Sequence, residues 1–121
     1  MATNNRKILI VDDDATVSGY LSDILSDAGY KTVTASDGDR AMQALEKENP
    51  DLITLDIEMP GVSGPMFSRK LTRKGSDKAI PIIVITGHPG LKYTIPNAVA
   101  EFDKPFEPKD VLAKVRSILG K

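Results

Sequence analysis

The chain has 121 residues, the size of one domain built around a single core. Lys and Arg number 16 against 17 Asp and Glu, so the formal charge is −1 and no basic excess supports nucleic-acid or anionic-membrane binding as the main activity. Zero Cys excludes disulfides, thiolate metal sites and a Cys nucleophile, and a single His excludes any site built on two imidazoles; with no bilayer-length apolar run and a polar N-terminus, the expected compartment is the cytoplasm.

The continuous apolar run Ile8-Leu9-Ile10-Val11 predicts a strand buried on both faces of a parallel sheet. Val17, Leu21, Ile24, Leu25 and Ala28 follow at helical spacing, with Asp14 placed to cap the helix and Gly29 to stop it. Lys31–Ala35 predicts a second strand. Gly38–Glu48 predicts a helix entered through Ser36 or Asp37, with Ala41, Met42 and Leu45 inward and Asn49-Pro50 as its end. Leu52–Leu55 is the third strand. After the loop 56–64, Pro65 opens a helix with Phe67 and Leu71 one turn apart, closed by Gly75.

Residues 81–86 predict a fourth strand and residues 99–103 a fifth. Pro108 then opens a last helix that carries Val111, Leu112, Val115, Ile118 and Leu119 on one face before Gly120. This alternation predicts a doubly wound α/β sheet. Between the fourth and fifth strands, Gly87, Pro89, Gly90 and Pro96 leave space for little more than a turn or two, so the fourth helix is expected to be short, irregular or missing.

Ligands of an open α/β sheet bind beyond the carboxyl ends of its strands. Asp12 and Asp13 follow the first strand, Asp56 follows the third, Thr86 ends the fourth and Lys104 follows the fifth. Three carboxylates at one rim need a compensating cation, or one of them takes up a proton. Carboxylate, carbonyl and water ligands suit Mg²⁺, typically shared with a phosphate oxygen. Lys104 offers a point charge and Thr86 a donor for phosphoryl oxygens, and an Asp in such surroundings can attack phosphorus to form an acyl phosphate. Singly, each residue has an ordinary reading: a strand-end turn, a β-former, a solvated ammonium. Their joint placement is what points to a site. Asp14 reads as a helix cap, Met42 and Met66 as packing, Met59 and Phe106 as core, and His88 as a surface-loop residue. Gly87 reads equally as clearance for a phosphodonor and as a turn glycine.

The segments Ile8-Leu9-Ile10-Val11-Asp12-Asp13-Asp14, Leu55-Asp56-Ile57-Glu58-Met59-Pro60-Gly61-Val62-Ser63-Gly64, Val84-Ile85-Thr86-Gly87 and Phe102-Asp103-Lys104-Pro105-Phe106 resemble, in order and across the whole chain, the receiver domain of bacterial two-component response regulators. The resemblance implies a flavodoxin-like fold with strand order 2-1-3-4-5 and Asp56 as the phospho-accepting residue. It implies Mg²⁺ held by Asp13, Asp56 and the backbone carbonyl of Glu58, with Asp12 acting largely through water. Thr86 and Lys104 would contact the phosphoryl group, and the Lys104–Pro105 bond would be cis. The implied donor is a phosphohistidine on a histidine kinase or histidine phosphotransfer domain. The implied output is changed affinity for a downstream protein, with neither nucleic acid nor membrane as partner.

The resemblance implies a signalling switch that takes part in its own phosphoryl transfer and slow autodephosphorylation, not a turnover enzyme. Glu58 and His88, two residues beyond Asp56 and Thr86, flank the phosphoryl site in the resembled family, so changing either is expected to alter phosphoryl lifetime. The receiver is expected to occupy residues 1–121, with no output domain in this chain.

One position departs from the family pattern. Glu101 stands three residues before Lys104, where receivers usually carry an aromatic. On an edge strand, Ala100 and Phe102 would share one face and Glu101 and Asp103 the other, placing Glu101 toward water or a partner. That departure keeps a second reading open, a docking scaffold that binds partners without phosphorylation. A third, a small Mg²⁺-dependent phosphotransferase or phosphatase, lacks an obvious substrate-binding cap.

Overall fold

In the computed structural model, residues 6–56, 80–87 and 98–120 are described. The elements are β1 (Lys7–Val11), α1 (Ala15–Asp27), β2 (Lys31–Ala35), α2 (Gly38–Glu48), β3 (Leu52–Leu55), β4 (Ile82–Thr86), β5 (Ala98–Asp103) and α3 (Pro108–Leu119). The five strands form one parallel sheet in the order β2-β1-β3-β4-β5. This is the expected order. The helix expected from Pro65 and the segment between Gly87 and Ala98 lie outside the described residues.

Strand periodicity divides the apolar residues between two layers. Leu9, Val11, Ile53, Leu55, Ile82 and Val84 face α2, where Ala41 is buried and Met42 and Leu45 cover the cluster. Ile8, Ile10, Leu52, Ile83 and Ile85 face α1 and α3, meeting Leu21 and Leu25 from one helix and Val111, Val115 and Leu119 from the other. The central strands β3 and β4 are buried at every position, which is why their sequences are unbroken apolar runs apart from Thr54 and Thr86.

The helix ends follow local chemistry. Asp14 caps α1 by accepting from the backbone N–H groups of Thr16 and Val17, and Asp37, not Ser36, caps α2 by accepting from Arg40. Asn49 ends α2 in the left-handed region at φ 50°, and Gly120 ends α3 at φ 73°. Residue burial on α1 departs from the predicted stripe: Ser18 is buried and its hydroxyl donates to the Ala15 carbonyl, whereas Ile24 is only half-buried.

β5 begins one residue earlier than expected and carries a bulge. Ile82 pairs with Ala98 and Ile83 with Ala100, leaving Val99 as the extra residue, about half exposed. The bulge sends Ala98 to the α2 layer while Ala100 and Phe102 lie in the α1/α3 layer. Beyond it the strand alternates as predicted. Glu101 pairs with Val84 at the end of the row Ala35, Val11, Leu55, Val84 and is half-buried, so its carboxylate is less open to water than expected.

Candidate functional site

The sheet positions the rim residues by extending its ladder one hydrogen bond past the strands. Asp12 N–H donates to the Ala35 carbonyl at 3.1 Å, Asp56 N–H to Val11 at 2.9 Å, and Lys104 N–H to Thr86 at 2.9 Å. Each functional side chain therefore leaves a backbone that is still held by the sheet. The Lys104–Pro105 peptide bond is cis, as the resemblance implied.

Asp12, Asp13 and Asp56 converge. One carboxylate oxygen from each lies within 4.8 Å of the other two. Asp12 and Asp56 are buried, at 4% and 7% exposure, while Asp13 is open to solvent. Lys104 spans the pair: its Nζ stands 2.8 Å from Asp12 Oδ2 and 3.4 Å from Asp56 Oδ2. Burial pushes the Lys104 ammonium toward a lower pKa, but the hydrogen bond and charge of Asp12, followed by those of Asp56, outweigh it and hold the group above the usual lysine value. The other oxygen of Asp12, Oδ1, accepts from the backbone N–H of Asp14 at 2.9 Å. Asp12 thus ties the ammonium to the first turn of α1.

Thr86 is fully buried at the end of β4 and belongs to the same rim through its carbonyl contact with Lys104. Gly87 has no positive φ, and a Cβ there would meet nothing within 4 Å. Backbone conformation therefore does not require glycine at this position. Glu58 and His88 lie outside the described residues.

An all-oxygen set of three carboxylates, two of them buried, fits a hard divalent cation, and its chemistry agrees with Mg²⁺. A nucleophilic carboxylate beside an ammonium is likewise suited to receive a phosphoryl group.

The chain matches the family model for the response regulator receiver domain over residues 8–116. It belongs to that family. The receiver is 34% identical over 114 residues to protein Rrf1 of Nitratidesulfovibrio vulgaris, covering 94% of this chain and 83% of that one. It spans about half the length of other curated relatives, 33% to 39% identical, named as probable transcriptional regulators or DNA-binding response regulators. Among solved structures, the chemotaxis protein CheY4 of Vibrio cholerae superposes with a TM-score of 0.86 at 30% identity, covering 95% of this chain and 99% of that one. The response regulator TrrA of Thermotoga maritima, in complex with Mg(2+)-BeF, gives a TM-score of 0.83 at 30% identity, covering 93% and 98%. The flavodoxin-like receiver fold and the family's role as a signalling switch stand on these matches.

Sequence reasoning placed Asp12, Asp13, Asp56, Thr86 and Lys104 at one rim, and the receiver brings them there. It missed Tyr20. That residue is half exposed on α1, and its ring meets Phe106 with centroids 6.0 Å apart; Phe106 itself is half-buried and packs against the α1/α3 core cluster, as expected. The available signal was Tyr20 falling outside the apolar stripe of α1.

Proposed function

We propose that this receiver accepts a phosphoryl group on Asp56 from a phosphohistidine donor in the presence of Mg²⁺ and thereby changes its affinity for a protein partner. The observation that carries the reading is the gathering of the buried Asp56 carboxylate with those of Asp12 and Asp13, with the Lys104 ammonium 3.4 Å from it. The donor is a histidine kinase or a histidine phosphotransfer domain. The DNA-binding names belong to relatives about twice as long as this chain, and nothing in a formal charge of −1 favours nucleic acid as its own partner.

Asp12, Asp13 and Asp56, with the backbone carbonyl of Glu58, are the groups that would hold the cation. Bound Mg²⁺ supplies positive charge that neutralises the transferring phosphoryl group. The Asp56 carboxylate oxygen attacks phosphorus, the P–N bond breaks, and the imidazole keeps the bonding electron pair. Lys104 meets the incoming charge from the α3 side of the rim, and the Thr86 hydroxyl serves as a donor to a phosphoryl oxygen. Glu58 and His88 set the rate at which water later removes the group.

Intact-mass analysis after incubation with Mg²⁺ and phosphoramidate, comparing wild type with Asp56→Asn, tests the reading. A labile adduct of one phosphoryl group in wild type alone is expected. No adduct in wild type would favour the phosphorylation-independent scaffold, which Glu101 at the usual aromatic position motivates. Continuous release of phosphate from an external ester would favour a turnover enzyme.

A further inference from the structure

The two edges of the sheet are finished differently. β5 is broken by the bulge at Val99, which spoils its outer side as a template for another strand. β2, at the other edge, pairs with β1 without interruption from Lys31 to Ala35 and contains neither bulge nor proline. Lys31 N–H donates to the Arg6 carbonyl and Asp12 N–H to the Ala35 carbonyl, so the backbone groups of Lys31, Val33 and Ala35 are turned toward β1. By alternation those of Thr32 and Thr34 are turned outward, two N–H donors and two carbonyl acceptors with no strand beside them among the described residues. The α1 side chains that reach this edge are short: the Ser22 and Ser26 hydroxyls stand 2.7 and 3.3 Å from Thr32 Oγ1, and Lys31 and Thr34 are exposed.

We propose that β2 pairs antiparallel with β2 of a second copy of this chain across a two-fold axis at Val33, joining the two sheets into one. The association goes beyond the phosphoryl-accepting reading of Asp56 and does not depend on it. In this register Thr32 lies opposite Thr34 of the second copy, and each of the two symmetric pairs exchanges both N–H···O bonds, so every outward group is satisfied. An axis at Thr32 would instead oppose Thr34 to Tyr30, whose N–H is already given to the Leu25 carbonyl, and an axis at Thr34 would oppose Thr32 to Ser36, beyond the end of the strand. Charge selects the partner. An exposed lysine ordinarily keeps an edge strand from pairing. Here Lys31 falls opposite Ala35 of the second copy, with Asp37 on the diagonal, at the start of α2 in the layer that Val33 and Ala35 face. Symmetry makes that contact twice. Because the paired strands run in opposite directions, the two acidic rims open at opposite ends of the joined sheet and neither is covered.

Sedimentation velocity of the unphosphorylated full chain, from micromolar to millimolar concentration, tests this, and a monomer–dimer equilibrium is expected. Thr34→Pro removes one outward N–H and no bond to β1, so it is expected to abolish the dimer while circular dichroism shows the fold kept. Lys31→Glu sets like charges on the diagonal and is expected to weaken association about tenfold at low salt, with the difference shrinking at high salt. Val99→Lys, at the opposite edge, is expected to leave the dimer intact. The chain has no Cys, so Val33→Cys gives each copy a single thiol at the axis, where a mild oxidant is expected to link two copies. A chain that stays monomeric over the whole range overturns the inference, as does a dimer that Thr34→Pro leaves intact. Should Thr34→Pro fail to fold, an unchanged dissociation constant for Lys31→Glu at low salt overturns it instead. Loss of the dimer in Val99→Lys alone would place the contact on β5 and overturn it equally.

Discussion

Lys104 pairs with Asp12 more closely than with Asp56, at 2.8 Å against 3.4 Å, although the two acidic residues come from different strands and Asp12 is 92 positions away in the chain. The ammonium is the positive charge that the described side chains bring to two buried carboxylates. Replacing it exposes the cost of placing those carboxylates together. Lys104→Met is expected to lower stability by about 2 kcal/mol, somewhat under the range for a fully buried pair because the lysine side chain is partly exposed. Millimolar Mg²⁺ is expected to raise the melting temperature of this variant more than that of wild type, since the cation replaces the missing charge. Thermal melts with and without Mg²⁺ check both statements; equal shifts in the two proteins would contradict the second.

The same pair sets a pH dependence at the alkaline end. The Lys104 pKa is raised in the folded protein, so the folded state holds that proton more tightly than the unfolded chain does. Its contribution is fully present below the unfolded lysine pKa of about 10.4 and is lost as pH rises through the higher folded value. Urea midpoints measured from neutral pH to pH 11 are expected to fall at the top of this range. The fall should be smaller in Lys104→Met.

On the acid side, Glu48 is held below the ordinary carboxylate pKa by its hydrogen bond to Lys7, assisted by the charge of that lysine. Its contribution is present above the unfolded value and lost as pH falls through the folded one. The pair is only partly buried, so the effect is small and screened by salt. Glu48→Gln should flatten the acid limb of the stability profile at low ionic strength and leave it unchanged in 1 M salt, a concentration at which the Debye length is about 3 Å.

Core and cap variants separate folding from phosphoryl chemistry. Leu25 is fully buried between α1 and the sheet, and Leu25→Ala is expected to cost about 3 kcal/mol with an unchanged urea m-value. Asp37→Ala removes a cap at the start of α2 and is expected to cost about 1 kcal/mol. Asp37 lies outside the acidic cluster, so its variant should label at the wild-type rate wherever it is folded. A large labelling defect in Asp37→Ala would show that α2 takes part in the chemistry.

Much of this architecture was legible because each strand and cap is a local decision. Ile8 to Val11 and Leu52 to Leu55 are apolar without interruption, so burial on both faces followed directly, and strand ends then located Asp12 and Asp56. Pro108 and Gly120 bracketed α3 for reasons confined to one turn of helix. The bulge at Val99 was not legible, since β-alternation read from sequence assumes an unbroken pairing and nothing in Ala98-Val99-Ala100 distinguishes the extra residue. Nor was the choice of Lys104 partner. Spacing brought the ammonium to the rim, but its preference for Asp12 depends on side-chain directions set by three strands together.

The extra residue at Val99 also separates two requirements placed on β5. Before it, Ala98 meets Ile82; after it, a regular ladder runs through Asp103 to the Lys104 N–H. Because the strand takes up one surplus residue at its entrance, a change of length in the preceding connection can be absorbed there without moving the ammonium from the carboxylates. Divergence in that connection can therefore proceed while the charge geometry at the far end of the strand stays fixed.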